Sequence, residues 1–273
     1  MLTDPTVHFE PFRNLFLRLP SSPHCKLCGA PFKGIGGAVL GPMGFRPWPK
    51  NPTICQACFR GLSRFPAAGA EVECTLFFAD VRGSTGIAEQ SDATAYASLL
   101  RRFYEASSAA VIEERGILDK FVGDEVVAIF IPAFSGSAHA RAAILAARRL
   151  LEMTGHRNRE GPWLGTGIGI HTGPAFVGST AVGTAVTDFT ALGDTVNATA
   201  RLASAAAAGE VLISEAALAN AHVDVAGLPA KDLQLRGRDA PLRVRVARLD
   251  TLPAFPAREV PGSSPGRPPD RAH

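Results

Sequence analysis

Four cysteines constrain this chain more than any other residues. They form two Cys-x-x-Cys pairs, Cys25/Cys28 and Cys55/Cys58, and the 26 residues between them, Gly29 to Ile54, include six Gly and five Pro. That density of breakers argues against a packed helix or long strands, so the segment needs an outside staple. Two such knuckles fit a tetrahedral thiolate Zn²⁺ site, whose binding energy can fold a segment with too little core of its own. The spacer is longer than the usual run of about 15 to 20 residues, which predicts a long loop. Two disulfides are the competing chemistry. Met1 to Glu10 shows no basic start followed by an apolar run, so a reducing cytoplasm is the expected location and the metal is favoured.

The 273 residues are 46% hydrophobic and 19% charged, which excludes a disordered or collagen-like chain and allows one large domain plus something small. No stretch reaches the roughly 18 to 20 uninterrupted apolar residues of a membrane span. Residues 1–68 carry eight Lys/Arg against two Asp/Glu, whereas residues 69–250 carry seventeen against twenty-one. The basic excess therefore sits with the cysteines. Four thiolates around one divalent ion would return a charge of −2, and no basic helix is evident, so no nucleic-acid partner is expected. Composition divides the chain into four parts. Residues 1–20 form an N-terminal segment, apolar at Phe9, Phe12, Leu15, Phe16 and Leu19, that reads as a docking helix. Residues 21–65 hold the four-cysteine module, residues 69–250 the main domain, and residues 251–273 a disordered Pro-rich tail.

Within the main domain, Cys74 to Val81 reads as a buried strand, and Cys74 as a small buried hydrophobe. Residues 92–115 are helical by period, through Tyr96, Leu99, Leu100, Phe103, Ala106, Ala110 and Val111, with Gly116 as the stop. Two apolar runs, Ile117 to Val122 and Val126 to Ile131, flank Gly123-Asp124-Glu125 as a hairpin. A second helix through Ala140 to Leu151 follows, then strands at Leu164 to His171 and Ala175 to Ser179. A helix over Asp194 to Ala208, a strand at Glu210 to Ser214 and a final pair near 232–235 and 242–246 complete the order. This order predicts an α+β fold with mainly antiparallel pairs.

Two aspartates end strands in this reading: Asp80 after the apolar run, and Asp124 in the hairpin. A carboxylate at the end of a buried strand is costly unless it is paired or holds a metal. Two on neighbouring strands can hold two Mg²⁺ or Mn²⁺ ions about 3.5 to 4 Å apart, the arrangement used for displacement at phosphorus. The bland alternative is a hairpin Asp making its own turn and a strand-end Asp capping a helix. After Asp80, the turn Gly83-Ser84-Thr85-Gly86 offers backbone N–H groups to phosphate oxygens. Further on, Asp194 suits a helix N-cap, and Asn197 and Arg201 share one face of the helix behind it, a fork of donors able to meet a ribose and a phosphorane charge.

Together, Phe78-x-Asp80-Val-x-Gly-Ser-Thr85, Lys120-x-x-Gly-Asp124, Ile168-Gly-Ile-His-Thr-Gly173 and Leu192-Gly-Asp-Thr-Val-Asn197-x-x-x-Arg201 resemble the class III nucleotidyl cyclase catalytic domain, over about Glu71 to Leu249. The four-cysteine segment is similar to the zinc-ribbon module attached to some bacterial cyclases. The resemblance implies a ferredoxin-like, palm-type fold and two-metal conversion of ATP to 3′,5′-cyclic AMP and pyrophosphate. It implies that Asp80 and Asp124 bind the two Mg²⁺ or Mn²⁺ ions, and that Lys120 and Thr190 read the purine. Lys donates toward ring N1 and a hydroxyl accepts from the N6 amine, which suits adenine. Guanylate-specific members usually carry Glu and Cys there. Asn197 would orient the ribose, Arg201 would stabilise the α-phosphoryl charge, and Gly83, Ser84, Thr85 and Arg236 would contact phosphates, with Arg238 the rival to Arg236. Many members carry Phe at the position of Ser84. The metal aspartates and the base-reading residues of one site come from different subunits in this family, so a homodimer with two composite sites is implied. The alternatives are a guanylate cyclase, an inactive nucleotide-binding dimeriser, and a diguanylate cyclase, which would lack the Asn197/Arg201 helix.

Overall fold

The structure is a computed structural model and describes residues 15–16, 18–19, 23–25, 28–49, 51–63, 69–182, 186–224, 227–234, 240–253 and 255. Most of the docking-helix segment, the Pro-rich tail beyond 255 and the loop holding Arg236 and Arg238 lie outside the described residues.

Between the cysteine pairs the chain forms α1 (Gly34–Leu40), an irregular turn over Gly41–Phe45, β1 (Pro47–Trp48), β2 (Asn51–Cys55) and α2 (Gln56–Ser63). A helix does form among the breakers, but α1 buries none of its residues, and Ile35 and Val39 face outward. The breakers forbid packing here more than they forbid helical turns.

The main domain runs β3 (Gly69–Val81), α3 (Ser84–Gln90), α4 (Ala93–Glu113), β4 (Ile117–Val122), β5 (Glu125–Phe130), α5 (Pro132–Ser135), α6 (His139–Met153), β6 (Thr166–Val182), β7 (Val186–Leu192), α7 (Asp194–Ala205), β8 (Val211–Ser214), α8 (Glu215–Asn220), β9 (Ala230–Leu233) and β10 (Leu242–Ala247). The strands form one sheet in the order β4-β5-β3-β6-β8-β10-β9, with β7 pairing β6 off this path. The β6–β8 pair is parallel and the others are antiparallel. The predicted α+β, mainly antiparallel architecture is the one observed.

Alternation along β3 divides the core. Phe77, Ala79 and Val81 face a cluster with Phe103 and Ala110 of α4 and Ala143 and Leu150 of α6. Cys74, Leu76 and Phe78 face the other side, where the four paired cysteines, Trp48, Ile54 and Phe189 gather. The four-cysteine module therefore shares its apolar interior with the back of the sheet. Trp48 stacks on Phe59 at 4.1 Å, and both meet Phe189 of β7 edge-on, at 5.9 and 5.7 Å.

Three local expectations are corrected. The predicted strands at 164–171 and 175–179 are one strand, because β6 pairs with β3 without a break from Thr166 to Gly178 and Pro174 falls where neither β8 (168–170) nor β7 (176–182) pairs on the other side. There the missing proline N–H leaves no ladder bond unmade. Helix α4 starts as expected, with Asp92 accepting from the N–H groups of Thr94 and Ala95, but Gly116 is not its left-handed stop. Arg115 takes that conformation (φ +63°), with Arg115 N–H bonded to Ile112 and Gly116 N–H to Val111 in a Schellman arrangement. Asp194 is the first residue of α7 and not its N-cap, which is Gly193. From that position its charge faces the positive end of the helix.

Candidate active site and cysteine centre

The carboxylates converge at one end of the sheet. Asp80 lies opposite Glu125 in the β3–β5 register, and Val81 N–H donates to the Asp124 carbonyl at 3.2 Å, so adjacent strands place Asp80, Asp124 and Glu125 together. The turn bearing Asp124 is fixed twice. Gly123 takes a left-handed conformation (φ +58°), and the Tyr104 hydroxyl donates to its carbonyl while the Tyr104 ring rests on Phe121. Tyr104 thereby supports the turn from α4.

Arg82 is a participant that the sequence reading passed over. Its guanidinium pairs with Asp80, and Nη1 donates to the Ser204 carbonyl at 2.9 Å and the Ala206 carbonyl at 3.4 Å, at the C-terminal end of α7. Burial lowers the Arg82 pKa, with Asp124 and Glu125 opposing. Glu125 is pushed above the ordinary carboxylate range, by burial first and the charge of Asp124 second. Carboxylates that repel one another and recruit a guanidinium form an oxygen-rich site short of positive charge, and this donor set fits hard divalent cations. Asp80 caps no helix, because the N-cap of α3 is Gly83 (φ +74°) and no side chain caps that end. Ser84 and Thr85 form its first turn.

The purine-reading candidates come together through a residue that was not singled out. Thr190 on β7 and Lys120 on β4 are seventy residues apart, and their strands share no ladder, since β4 is the edge strand beside β5 and β7 pairs β6. The Thr190 hydroxyl nevertheless donates to Asp119 Oδ2 at 2.8 Å, and Lys120 Nζ lies 3.8 Å from the same oxygen. Asp119 is 4% exposed and Thr190 3%. A β-bulge between Leu118 and Lys120 re-aims these side chains. The available signal was a charge inside the apolar run Ile117 to Val122, since a buried carboxylate demands partners.

Asn197 and Arg201 lie on α7 as expected, Asn197 exposed and Arg201 half-buried. The helix lies directly on β6. A Cβ at Gly169 would sit 2.4 Å from Ala203 N and 2.7 Å from the Thr199 carbonyl, so glycine there permits the approach. His171, matched by the resemblance, is buried with Nδ1 2.8 Å from Ser214 Oγ, a contact within the sheet.

Cys25, Cys28, Cys55 and Cys58 are buried, with their sulfurs within 4.8 Å of one another, the one such cluster of three or more metal-ligating groups among the described residues. Backbone N–H groups of Cys55 and Cys58 donate to Cys25 Sγ and Cys55 Sγ at 3.3 Å. Hydrogen bonding from Cys28, then Cys55 and Cys58, holds the Cys25 thiol far below its ordinary pKa. Four converging sulfurs with a thiolate already favoured fit zinc. Cys74 stands apart, its thiol pushed up to about 12, chiefly by burial.

The sequence profile described as the adenylate and guanylate cyclase catalytic domain matches residues 68–244. An adenylate cyclase of Anabaena cylindrica is 30% identical over 133 residues, 47% of this chain and 26% of the relative. Adenylate cyclase 1 of Rhizobium meliloti is 32% identical over 135 residues, 48% of this chain and 20% of the relative. The matched region thus spans about a quarter or less of those two relatives. Among solved structures, the adenylyl cyclase CyaB from P. aeruginosa superposes with a TM-score of 0.56 at 29% identity, covering 66% of this chain and 95% of that one. The guanylyl cyclase Cya2 superposes with a TM-score of 0.60 at 23% identity, covering 66% and 93%, a likeness of fold. No helix among the described residues is long and apolar enough to cross a membrane.

Proposed function

The chain belongs to the adenylate and guanylate cyclase catalytic domain family, and from that membership we propose that it is an adenylate cyclase, converting ATP to 3′,5′-cyclic AMP and pyrophosphate at the interface of a homodimer. The observation that carries the choice of ATP is the cluster of Lys120, Asp119 and Thr190. The Lys120 ammonium can only donate, and purine N1 accepts in adenine but donates in guanine. Thr190 gives its one proton to a carboxylate, which leaves lone pairs toward a ring substituent. An exocyclic amine satisfies them, whereas a carbonyl oxygen would repel them.

The phosphate side uses the Asp80 end of β3. Asp80 and Asp124 hold the metal-bound triphosphate, Glu125 adds negative charge beside them, and Tyr104 keeps the Asp124 turn in place. Divalent cations, Mg²⁺ or Mn²⁺, when bound there supply activation of the ribose 3′-hydroxyl and neutralise the departing pyrophosphate. Asn197 orients the ribose. Arg201, four residues on along the same face of α7, offers donors to the α-phosphoryl oxygens as the bond from the 3′ oxygen to phosphorus forms and the α–β anhydride bond breaks. Gly83, Ser84 and Thr85 present the start of α3 to the triphosphate. The Asp80 and Asp124 of one protomer face the Lys120, Thr190, Asn197 and Arg201 of its partner, so each dimer holds two sites. The zinc held by the cysteines is a folding staple for the module.

Two measurements test this reading. Initial rates with Mn²⁺ should favour ATP over GTP, and a GTP preference would overturn the roles of Lys120 and Thr190. Asp80→Ala and Arg201→Ala chains, each inactive alone, should recover activity when mixed, because one of the two sites in a mixed dimer is intact. A verified mixed dimer without activity would refute the shared site.

A further inference from the structure

Asp119 matches none of the residues assigned above to substrate or metal, yet it joins both purine-reading side chains. We propose that Asp119 is a positioning residue that sets purine specificity by fixing the proton of Thr190 and the ammonium of Lys120. The inference rests on the adenylate reading and deepens it.

A threonine hydroxyl has one proton and two lone pairs, and by itself it accepts from an amine or donates to a carbonyl with equal ease. Such a group cannot tell adenine from a 6-oxopurine. The geometry removes the ambiguity. The Thr190 proton goes to Asp119 Oδ2 at 2.8 Å, and the other acceptor in range, the Ala191 carbonyl at 3.4 Å, also draws the proton away from the ligand side. Both contacts leave the hydroxyl an acceptor. Burial of both partners keeps water from offering the carboxylate a competing proton. The same oxygen lies 3.8 Å from Lys120 Nζ, on a side chain that is 42% exposed and would otherwise sample many rotamers. One carboxylate therefore orders a donor and an acceptor in the pattern complementary to N1 and the N6 amine.

The isosteric variant Asp119→Asn separates these effects. A carboxamide in the same volume can donate N–H to Thr190 Oγ1, which frees the Thr190 proton to point at the purine and removes the negative charge beside Lys120. The probes are ATP, GTP and purine riboside triphosphate, which lacks only the exocyclic amine of ATP. We expect the wild-type protein to prefer ATP over the purine riboside analogue by about tenfold, the upper end for one neutral hydrogen bond. In Asp119→Asn that preference should fall to about twofold or less, with the loss for ATP mainly in KM. The binding step is checked by displacement of a fluorescent ATP analogue in Mn²⁺. A residue with only a structural role would weaken both nucleotides alike and leave their ratio unchanged. Thr190→Val should abolish the discrimination, and adding Asp119→Asn to it should change the ratio no further. If Asp119→Asn fails to fold, Asp119→Ser makes the same comparison. A wild-type preference for GTP defeats the adenylate reading and this inference with it. A wild-type preference for ATP that survives intact in the folded Asp119 variant overturns the Asp119 assignment alone.

Discussion

Trp48→Ala tests whether the cysteine module and the catalytic sheet are one cooperative unit. Trp48 is 7% exposed, its ring lies 4.1 Å from Phe59 at an interplanar angle of 11°, and its edge meets Phe189 at 5.9 Å. A buried Trp removes about 200 Å² from water, roughly 5 kcal/mol at about 25 cal/mol per Å². Truncation to Ala retains part of that area, and large aromatic-to-Ala changes cost about 3 to 5 kcal/mol. We take about 4 kcal/mol. In a domain of this size, roughly 2 to 4 °C is lost per kcal/mol, so a single cooperative transition should move down by about 8 to 16 °C. The effect should also reach catalysis, because Phe189 precedes Thr190 on β7 and loses one of its two edge contacts. KM for ATP is expected to rise several-fold, with a smaller change in kcat. Thermal unfolding followed by circular dichroism, with initial rates over a range of ATP, reads both. A variant that melts within about 2 °C of wild type with unchanged KM would refute the shared core, as would a separate early transition for the module with the main melt unmoved.

Two further outcomes follow from the buried contacts. His139 is 1% exposed, with Nδ1 2.7 Å from Thr75 Oγ1, and burial lowers its pKa from 6.5 to about 4. The unfolded chain therefore binds the proton first, and stability should fall as pH drops from about 6.5 toward 4 and level off below; denaturant midpoints should show this in wild type and much less in His139→Gln. Gly169→Ala places a methyl 2.4 Å from Ala203 N, so α7 must shift away from β6. We expect a loss of about 1 to 3 kcal/mol, with activity reduced because α7 carries Asn197 and Arg201; an unchanged melting temperature would contradict the close approach.

Much of the carboxylate end was legible in the sequence because its signals are local. An apolar run ending at Asp80, a Gly-Asp hairpin and a helix-spaced Asn197/Arg201 pair are each written within a few residues. Arg82 went unread because its significance comes from the Ser204 and Ala206 carbonyls more than 120 residues away. Strand β7 lies between the expected strand ending at Ser179 and the expected helix from Asp194, and it is fixed by pairing with β6 along its whole length. Tyr104 carries no local signal of its task, which comes from its hydroxyl contact with the Gly123 carbonyl nineteen residues on.

The sequence by itself determined the order of most strands and helices, the two cysteine pairs and the types of chemical group available, since periodicity, breakers and ligand spacing act over short stretches of chain. Tertiary structure alone decided where the module packs and which partner each buried polar group takes. Phe189 receives Trp48 and Phe59 from across the chain, and Thr190 gives its proton to Asp119, whose strand lies outside the ladder that β7 joins. Hydrogen-bond direction depends on the second group, and for Thr190 that group is supplied by a strand about seventy residues earlier.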